Sequence, residues 1–394
     1  MTTTTGHRAR RGRVRGGAGA AAVAAIAAGA ALAGCGSSSS SPSASAGSAA
    51  SGAPAASGAP AASLATSLST TKDSWAIVPM SSNPTFWEVF VRPAASATWR
   101  LVTPPGAADN GGLVAATDSA SGLTVAVRPS QDLDFTPVTS TADAGASWST
   151  DGPISDGVAA SAGALAVSGR QVAAVLGNGT VEASSNAGTT WETLARPGTI
   201  AASAAGQKCG TLQVASVSFG PISSQVLAAG ECGATGTAGL FAYSAGDGWQ
   251  RVSLPVSGQL VRFGAGTALV RAKAGLTALW GDDALHWTAS PALPVANAVT
   301  ASGGLAGATT ASPDGTWVLL PGGQAATIGG PGQQWLLLPP TPAHTSVLAS
   351  GPGTALDALA VSGSTLTVWQ LDRGSTVWAK AQTINVPIAL GSSS

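Results

Sequence analysis

The eight residues Ser184–Trp191 read SSNAGTTW, and an earlier stretch, Thr141–Trp148, repeats their layout as TADAGASW. Each stretch begins with a hydroxyl residue, places Asn186 or Asp143 two positions later, and closes with the spacing Gly-x-x-Trp. An Asn or Asp side chain can fold back on the backbone in an Asx-turn, and glycine accepts the positive φ that follows. The tryptophan then carries a large apolar ring into the next strand. The two stretches therefore predict tight turns whose tryptophans pack in a sheet interface.

Tryptophan recurs along the chain at the interval of a repeated unit. Seven of the 12 tryptophans stand where such a turn would end: Trp99, Trp148, Trp191, Trp249, Trp287, Trp335 and Trp378. The first and the last are 279 residues apart, or about 46 residues per interval, which matches the roughly 40–50 residues of one β-propeller blade. A second alignment agrees, because Ser67–Pro79 matches Thr309–Pro321 without a gap and places Trp75 and Trp317 at one position.

Short runs of Ala, Val, Leu and Thr, separated by Gly, Pro, Asn and Asp, fill the intervals between these tryptophans. Runs of this length at regular spacing indicate an all-β domain, and no stretch shows a sustained helical period with caps. We expect a seven-bladed β-propeller of four-stranded antiparallel blades over residues 63–387, followed by a flexible tail at 388–394.

The two turns resemble the Asp-box, also called the BNR repeat, of the propeller superfamily that includes sialidases and photosystem assembly factors. The resemblance implies that each box joins the third and fourth strands of a blade, on the side of the ring opposite an active site. It gives a structural role, not a catalytic one, to Thr141, Asp143, Gly145, Trp148, Ser184, Asn186, Gly188 and Trp191. We call the two stretches the box turns.

Residues 1–34 have the pattern of an export signal. Five arginines between Arg8 and Arg15 form a basic start, and the Ala-rich apolar stretch 18–33 is shorter than the roughly 20 residues of a membrane span. The segment Leu32-Ala33-Gly34-Cys35 resembles the lipobox of bacterial lipoproteins, which implies cleavage before Cys35 and attachment of lipid, with acyl chains such as palmitate, to its sulfur. An ordinary secretory leader is the alternative, and both Sec and twin-arginine export stay open.

Residues 36–62 consist entirely of Ser, Ala, Gly and Pro, and they include the segment SGAPAA twice in succession. Such a segment cannot bury enough apolar surface to fold, so we expect a disordered linker with a span on the order of 30 Å. The lipid and the linker together predict a protein anchored to the outer face of the bacterial cytoplasmic membrane.

Charge and cysteine content limit the classes of partner. The chain has 18 basic and 18 acidic residues, and loss of the five leader arginines would leave 13 basic residues. Because phosphate binding needs clustered positive charge, we expect no nucleic-acid partner; we also expect no cofactor and a monomer. Cys209 and Cys232 form an even pair in an exported chain, which predicts a disulfide. Two buried free thiols are the alternative, and two cysteines fall short of a metal site.

The candidate ligand residues come from the loops expected on the side of the ring away from the box turns. These loops are predicted to hold Arg128, Arg196 and Arg271. Sialidases bind a substrate carboxylate with three arginines, so the resemblance implies an acidic ligand, and planar guanidinium groups suit a carboxylate. Solvated loop charge is the alternative for all three arginines.

Two functions from different classes remain. The first is a membrane-anchored, extracytoplasmic platform that binds or assembles an unknown protein or glycan ligand without catalysis. The second is an exported sialidase-like glycoside hydrolase, for which Asp132 and Asp134 are candidate carboxylates. The sialidase Phe-Arg-Ile-Pro signature is absent, since Phe90–Pro93 reads FVRP, and the single tyrosine, Tyr243, falls beside a degenerate box. These departures favour the first function, and no catalytic residue is predicted.

Overall fold

The computed structural model describes residues 66–70, 72–80, 86–105, 107, 113–117, 122–127, 135–154, 162–220, 225–264, 266–294, 309–312, 315–320, 322–351 and 355–387. All of them belong to one compact unit, residues 56–394. The predicted leader 1–34, Cys35, the linker to residue 62, the tail 388–394 and Arg128 lie outside the described residues.

The described residues form seven antiparallel sheets, each made of four strands that are consecutive in the chain. Blade one holds β1 Thr66–Ser69, β2 Asp73–Pro79, β3 Trp87–Pro93 and β4 Arg100–Leu101. Blade two holds β5 Leu113–Ala116, β6 Leu123–Val127, β7 Val138–Thr141 and β8 Ser149–Thr150. Blade three holds β9 Ala162–Ser168, β10 Gln171–Leu176, β11 Val181–Ser184 and β12 Glu192–Ala195.

The remaining four blades follow the same order. Blade four holds β13 Leu212–Phe219, β14 Val226–Cys232, β15 Thr237–Ser244 and β16 Gly248–Arg251. Blade five holds β17 Gln259–Gly264, β18 Thr267–Ala272, β19 Gly275–Gly281 and β20 Trp287–Ala289. Blade six holds β21 Thr309–Ser312, β22 Gly315–Leu319, β23 Ala325–Ile328 and β24 Leu336–Leu337. Blade seven holds β25 Thr345–Ser350, β26 Leu356–Ser362, β27 Thr365–Leu371 and β28 Ala379–Asn385.

Apolar side chains between the blades close the ring. Each pair of consecutive blades shares one hydrophobic cluster, and a seventh cluster joins blade seven to blade one. A second strand such as β6, with the sequence LTVAV, is buried along its whole length. Both of its faces pack on neighbouring blades, so its sequence is continuously apolar instead of alternating. The predicted all-β, seven-bladed propeller is confirmed.

The seven chosen tryptophans all stand at the start of a fourth strand. Four of them make the same joint, in which the indole Nε1–H donates to a backbone carbonyl just after the fourth strand of the preceding blade. These bonds are Trp148 to Val102 at 3.0 Å, Trp191 to Gly152 at 3.0 Å, Trp335 to Pro291 at 3.0 Å and Trp378 to Pro339 at 3.3 Å. The repeat that is visible in the sequence is therefore also a repeated contact between blades.

The junction between blades seven and one uses a different contact. Trp99 Nε1 donates to the Asp357 carboxylate at 2.8 Å, and the Arg92 guanidinium lies 3.3 Å from the same carboxylate oxygen. Each blade is built from consecutive strands, so no strand is shared across this junction. Arg92 and Asp357 are 3% and 2% exposed, so the ends of the folded chain meet through a buried ion pair.

One short helical segment was not expected from the sequence. Between blades three and four, α1 Thr199–Ala202 is followed by a 3-10 turn at Gln207–Cys209. Four residues are too few to show a helical period, so the sequence holds no pattern that would predict this helix. None of the described residues belongs to a helix long and apolar enough to cross a membrane.

Candidate functional site

The box turns are closed by side-chain hydrogen bonds to their own backbone. In the first, Thr141 Oγ1 donates to Asp143 Oδ1 at 2.8 Å and accepts from the Gly145 N–H at 3.0 Å. Asp143 Oδ1 accepts from the Ser147 N–H at 2.9 Å, and Asp143 Oδ2 accepts from the Ser147 hydroxyl at 2.5 Å. Gly145 has φ +77° and its Cβ position is filled by Val102, so glycine is required here.

The second box turn has the same geometry with an amide in place of the carboxylate. Ser184 Oγ donates to Asn186 Oδ1 at 2.9 Å, and the Thr190 N–H donates to the same oxygen at 2.9 Å. Asn186 Nδ2 then donates to the Thr190 hydroxyl at 2.9 Å, so the hydroxyl accepts where that of Ser147 donates. The polar atoms of these side chains form hydrogen bonds within the turn itself, which is a structural role.

Hydrogen bonding, and not burial, shifts the acidity of Asp143. The Ser147 hydroxyl, followed by the Ser147 N–H and the Thr141 hydroxyl, lowers the pKa of Asp143 from 3.8 to about 2. A general acid needs the opposite shift, toward the working pH. The electrostatics of this turn suit a permanent carboxylate that holds a loop.

The box turns and the connections between strands two and three lie on opposite sides of the ring, because successive strands of a blade are antiparallel. On the second side, the structure describes the whole connection between blades three and four. There the connection 196–211 carries α1, and a Cys209–Cys232 disulfide joins its end to the last residue of β14. The predicted disulfide is present, and it holds this connection against blade four.

Close backbone packing surrounds that connection. A Cβ at Gly206 would lie 2.0 Å from the Ile200 carbonyl oxygen, and one at Gly239 would lie 2.7 Å from Cys232 Sγ. Only residues without a side chain allow these approaches, which fix the connection in one place.

A cavity of about 250 Å³ lies beneath this connection, between blades three and four. Its wall comes from three elements, namely the turn after β10, the segment from the end of β12 into α1, and the start of β13. The lining residues are Asn178, Gly179, Arg196, Pro197, Gly198, Ile200, Ala201, Leu212, Gln213 and Val214. Arg196 is exposed at this cavity and is the predicted ligand residue that the structure places there.

The polar groups of the cavity favour an anionic ligand. Arg196 contributes a guanidinium, and Gln213 contributes an amide. Asn178 Oδ1 accepts from the Thr180 N–H at 2.9 Å, which leaves its amide N–H groups to donate. None of the described lining residues carries a carboxylate, so an acidic group would meet no like charge at this wall. Ile200, Leu212 and Val214 would cover the apolar part of such a ligand.

Of the other two candidate arginines, Arg271 does not line this cavity. Arg271 lies within β18 of blade five and donates to the side chain of Gln259, whereas a loop position was expected. The hairpin from β18 to β19 is tight, so the strand continues through Arg271. Arg128 lies outside the described residues, as do Asp132 and Asp134.

The buried cluster of Arg92, Trp99 and Asp357 was not singled out in the sequence. The available signal is the strand WEVFVRP itself, in which Glu88 and Arg92 are charged residues within an otherwise apolar run. Burial raises the pKa of Asp357 to about 6, against the opposing effects of Arg92, Trp99 and Gln370. The described residues contain no group of His, Cys, Asp and Glu arranged to hold a metal ion.

No family model matches the chain, and no curated protein matches it. Among solved structures, the chain is similar to a candidate 6-phosphogluconolactonase from Bacteroides uniformis, with 12% identity, coverage of 80% of this chain and 97% of that one, and a TM-score of 0.51. A protein from Lactobacillus plantarum has 12% identity, the same coverages of 80% and 97%, and a TM-score of 0.50. YCF48 bound to D1 peptide has 14% identity, covers 70% of this chain and 81% of that one, and has a TM-score of 0.42. At these identities the likeness shows the fold alone.

Proposed function

We propose that the protein is a non-catalytic binding or assembly platform, exported and held by lipid on Cys35 at the outer face of the bacterial cytoplasmic membrane. The export signal and the Leu32–Cys35 segment support the anchor. The anchor predicts release of a Cys35→Ser variant into the medium and a lipid adduct on wild-type Cys35 by mass spectrometry. A wild type without lipid, together with a variant that stays on the membrane, would contradict it.

The cavity between blades three and four is the observation that carries the binding role. It lies on the side of the ring away from the box turns, and a disulfide holds one of its walls in place. A preformed concave site with few polar groups and apolar cover is the usual form of a ligand site. We infer that its ligand is a partner protein or a glycan that presents an acidic group to Arg196.

The test is a peptide and glycan array probed with the full chain carrying Cys35→Ser. We expect ligands with a carboxylate or another acidic group, and loss of a charge-assisted contact in Arg196→Gln should weaken binding about ten-fold or more. Lys208→Gln is a matched control, because Lys208 is exposed in the same connection but does not line the cavity. Reduction of the disulfide should also weaken binding.

Two results would contradict this proposal. Arg196→Gln could bind every ligand as the wild type does, which would place the site elsewhere. Turnover of fluorogenic glycosides by the purified chain would identify it instead as a hydrolase.

A further inference from the structure

Large apolar side chains are exposed mainly in one sector of the ring. Six are exposed among the described residues, and four of these belong to blades six, seven and one: Leu336 at 61%, Leu337 at 56%, Val377 at 70% and Leu101 at 36%. The other two are Phe135 at 38% and Leu285 at 40%, in blades two and five. Scattered exposed aliphatic residues need no explanation, but a group on neighbouring blades indicates an interaction surface.

Contacts between the blades hold together the three outer segments that carry these side chains. The Trp378–Pro339 bond of 3.3 Å ties the turn that carries Val377 to the segment just after Leu337. The backbone N–H of Trp99 donates to Gln382 Oε1, and the backbone carbonyl of Trp99 accepts from Gln382 Nε2, both at 2.8 Å. These bonds join β28 to the segment just before Leu101. We call this surface, formed by β24, the turn before β28 and β4, the apolar rim.

The exposed charges of the same sector are mostly positive. Among the described residues of blades six, seven and one, the exposed basic residues are Lys72, Arg100, Arg373 and Lys380, and Asp372 is the exposed acidic one. The acidic residues Asp73, Glu88 and Asp357 are buried there. The exposed charges that the structure describes in this sector are therefore mostly basic, although the chain without its leader arginines would be acidic.

The proposed anchor reaches blade one at the edge of the sheet opposite to the apolar rim. The chain reaches the fold through β1, the first strand of blade one, shortly after the predicted linker. Lipid on Cys35, followed by a linker expected to span on the order of 30 Å, would keep the ring close enough to the membrane for its outer edge to touch it.

We propose that the apolar rim rests on the membrane surface and binds acidic phospholipid. This inference rests on the lipid anchor of the proposed function, because a tethered surface needs little affinity of its own. Aliphatic side chains enter the boundary between headgroups and acyl chains, and nearby Lys and Arg bind anionic headgroups. Such docking would hold the ring in one orientation and fix the direction in which the cavity between blades three and four faces.

Co-sedimentation of the Cys35→Ser full chain with vesicles tests the proposal. Vesicles of phosphatidylglycerol should bind the chain more strongly than vesicles of phosphatidylcholine. Added salt should reduce this difference in binding, because it screens the charges. In this background Lys380→Gln should bind about five-fold more weakly, the usual effect of one basic side chain near an acidic surface. Val377→Asp should have at least that effect.

Matched controls come from blade five. Leu285→Asp and Lys273→Gln change exposed residues of the same kinds outside the sector, and they should bind like the parent chain. The leader arginines are common to all variants, so only differences between variants count. Equal binding by the rim and control variants would overturn the proposal, as would rim variants that convert a dimer to a monomer. The lipid adduct on wild-type Cys35 is measured separately, so the data can support the lipid anchor and still contradict membrane binding by the apolar rim.

Discussion

Asp143 and Asn186 occupy the same place in the two box turns, yet only Asp143 can titrate. Both accept a backbone N–H at 2.9 Å four residues later, from Ser147 and Thr190. Asparagine therefore reproduces the hydrogen bonds of the turn with one difference. The Ser147 hydroxyl donates to Asp143, whereas the Thr190 hydroxyl accepts from Asn186. The natural second turn shows that the geometry of the first does not need a charge.

The charge of Asp143 should nevertheless appear in the acid stability of the protein. Its pKa of about 2 in the fold is below the value of 3.8 expected without these bonds. A lowered pKa gives stability that is present above about pH 4 and is lost as the pH falls through 2. The wild type should therefore have a higher melting temperature than Asp143→Asn at pH 6, and this difference in melting temperature should shrink below pH 4. Asn186→Ala is the control, and its deficit should not depend on pH.

At the scale of structural elements, the repeated joint is the bond from an indole to the fourth strand of the preceding blade. Trp191 Nε1 donates to Gly152 O at 3.0 Å, and a Cβ at Gly152 would lie 2.3 Å from the Gly188 carbonyl. Box turn and neighbouring blade therefore touch backbone to backbone. The tryptophan supplies both the apolar ring and the one donor that this contact needs.

Trp191→Phe should keep an aromatic ring, although a smaller one, and lose the N–H donor, which leaves the Gly152 carbonyl without this hydrogen bond. We expect a loss of about 0.5–1.5 kcal/mol in unfolding free energy, measured by urea denaturation. Trp249→Phe is the matched control, because Nε1 of Trp249 is buried without a hydrogen bond to any described residue. It should cost less than Trp191→Phe. An equal loss in both variants would show that ring shape, and not the joint, sets the effect.

At the scale of the whole molecule, one junction differs from the others. Blades one and seven come from opposite ends of the folded chain and share no strand, and each hydrogen bond described across their junction involves a side chain. Ser67 Oγ donates to the Leu348 carbonyl at 2.5 Å, and Arg92 and Asp357 form a buried ion pair nearby. Trp99 donates to that carboxylate in place of a backbone carbonyl.

Breaking this ion pair from one side should be costly, because it leaves a buried charge without its partner. Asp357→Ala should lose about 3–5 kcal/mol of unfolding free energy, whereas Arg92→Met combined with Asp357→Leu should lose less. Urea denaturation of the single and double variants measures both. Additive losses would contradict a coupled pair.

The pH dependence of this junction runs opposite to that of Asp143. The pKa of Asp357 is raised from 3.8 to about 6 by burial, so protonation favours the folded state. Its contribution is fully present below about pH 4 and is lost as the pH rises through 6. Relative to Asp357→Asn, the wild type should therefore lose stability between pH 4 and pH 7. A difference that stays constant over this range would contradict the assignment.

The number of blades and the positions of their turns were readable from the chain alone. Asn186, Gly188 and Trp191 lie within six residues, and their contacts are made within the turn or with the adjacent blade. The full pattern occurs in two blades and its tryptophan in all seven, so the repeat remains visible in the sequence. For the same reason Trp75 and Trp317 could be aligned, and each is the third residue of a second strand.

The cavity, the closing ion pair and the apolar rim were decided by folding in three dimensions. Arg92 hydrogen-bonds a carbonyl 258 residues away, and Trp99 bonds Gln382 at a separation of 283 residues. No local pattern records such pairs, because they exist only once seven blades have closed into a ring. Arg196 and Arg271 looked alike as loop arginines, but one lines a cavity and the other lies in a strand beside Gln259. For Arg196 the deciding neighbour is β13 of blade four, and the sequence of blade three does not encode that contact.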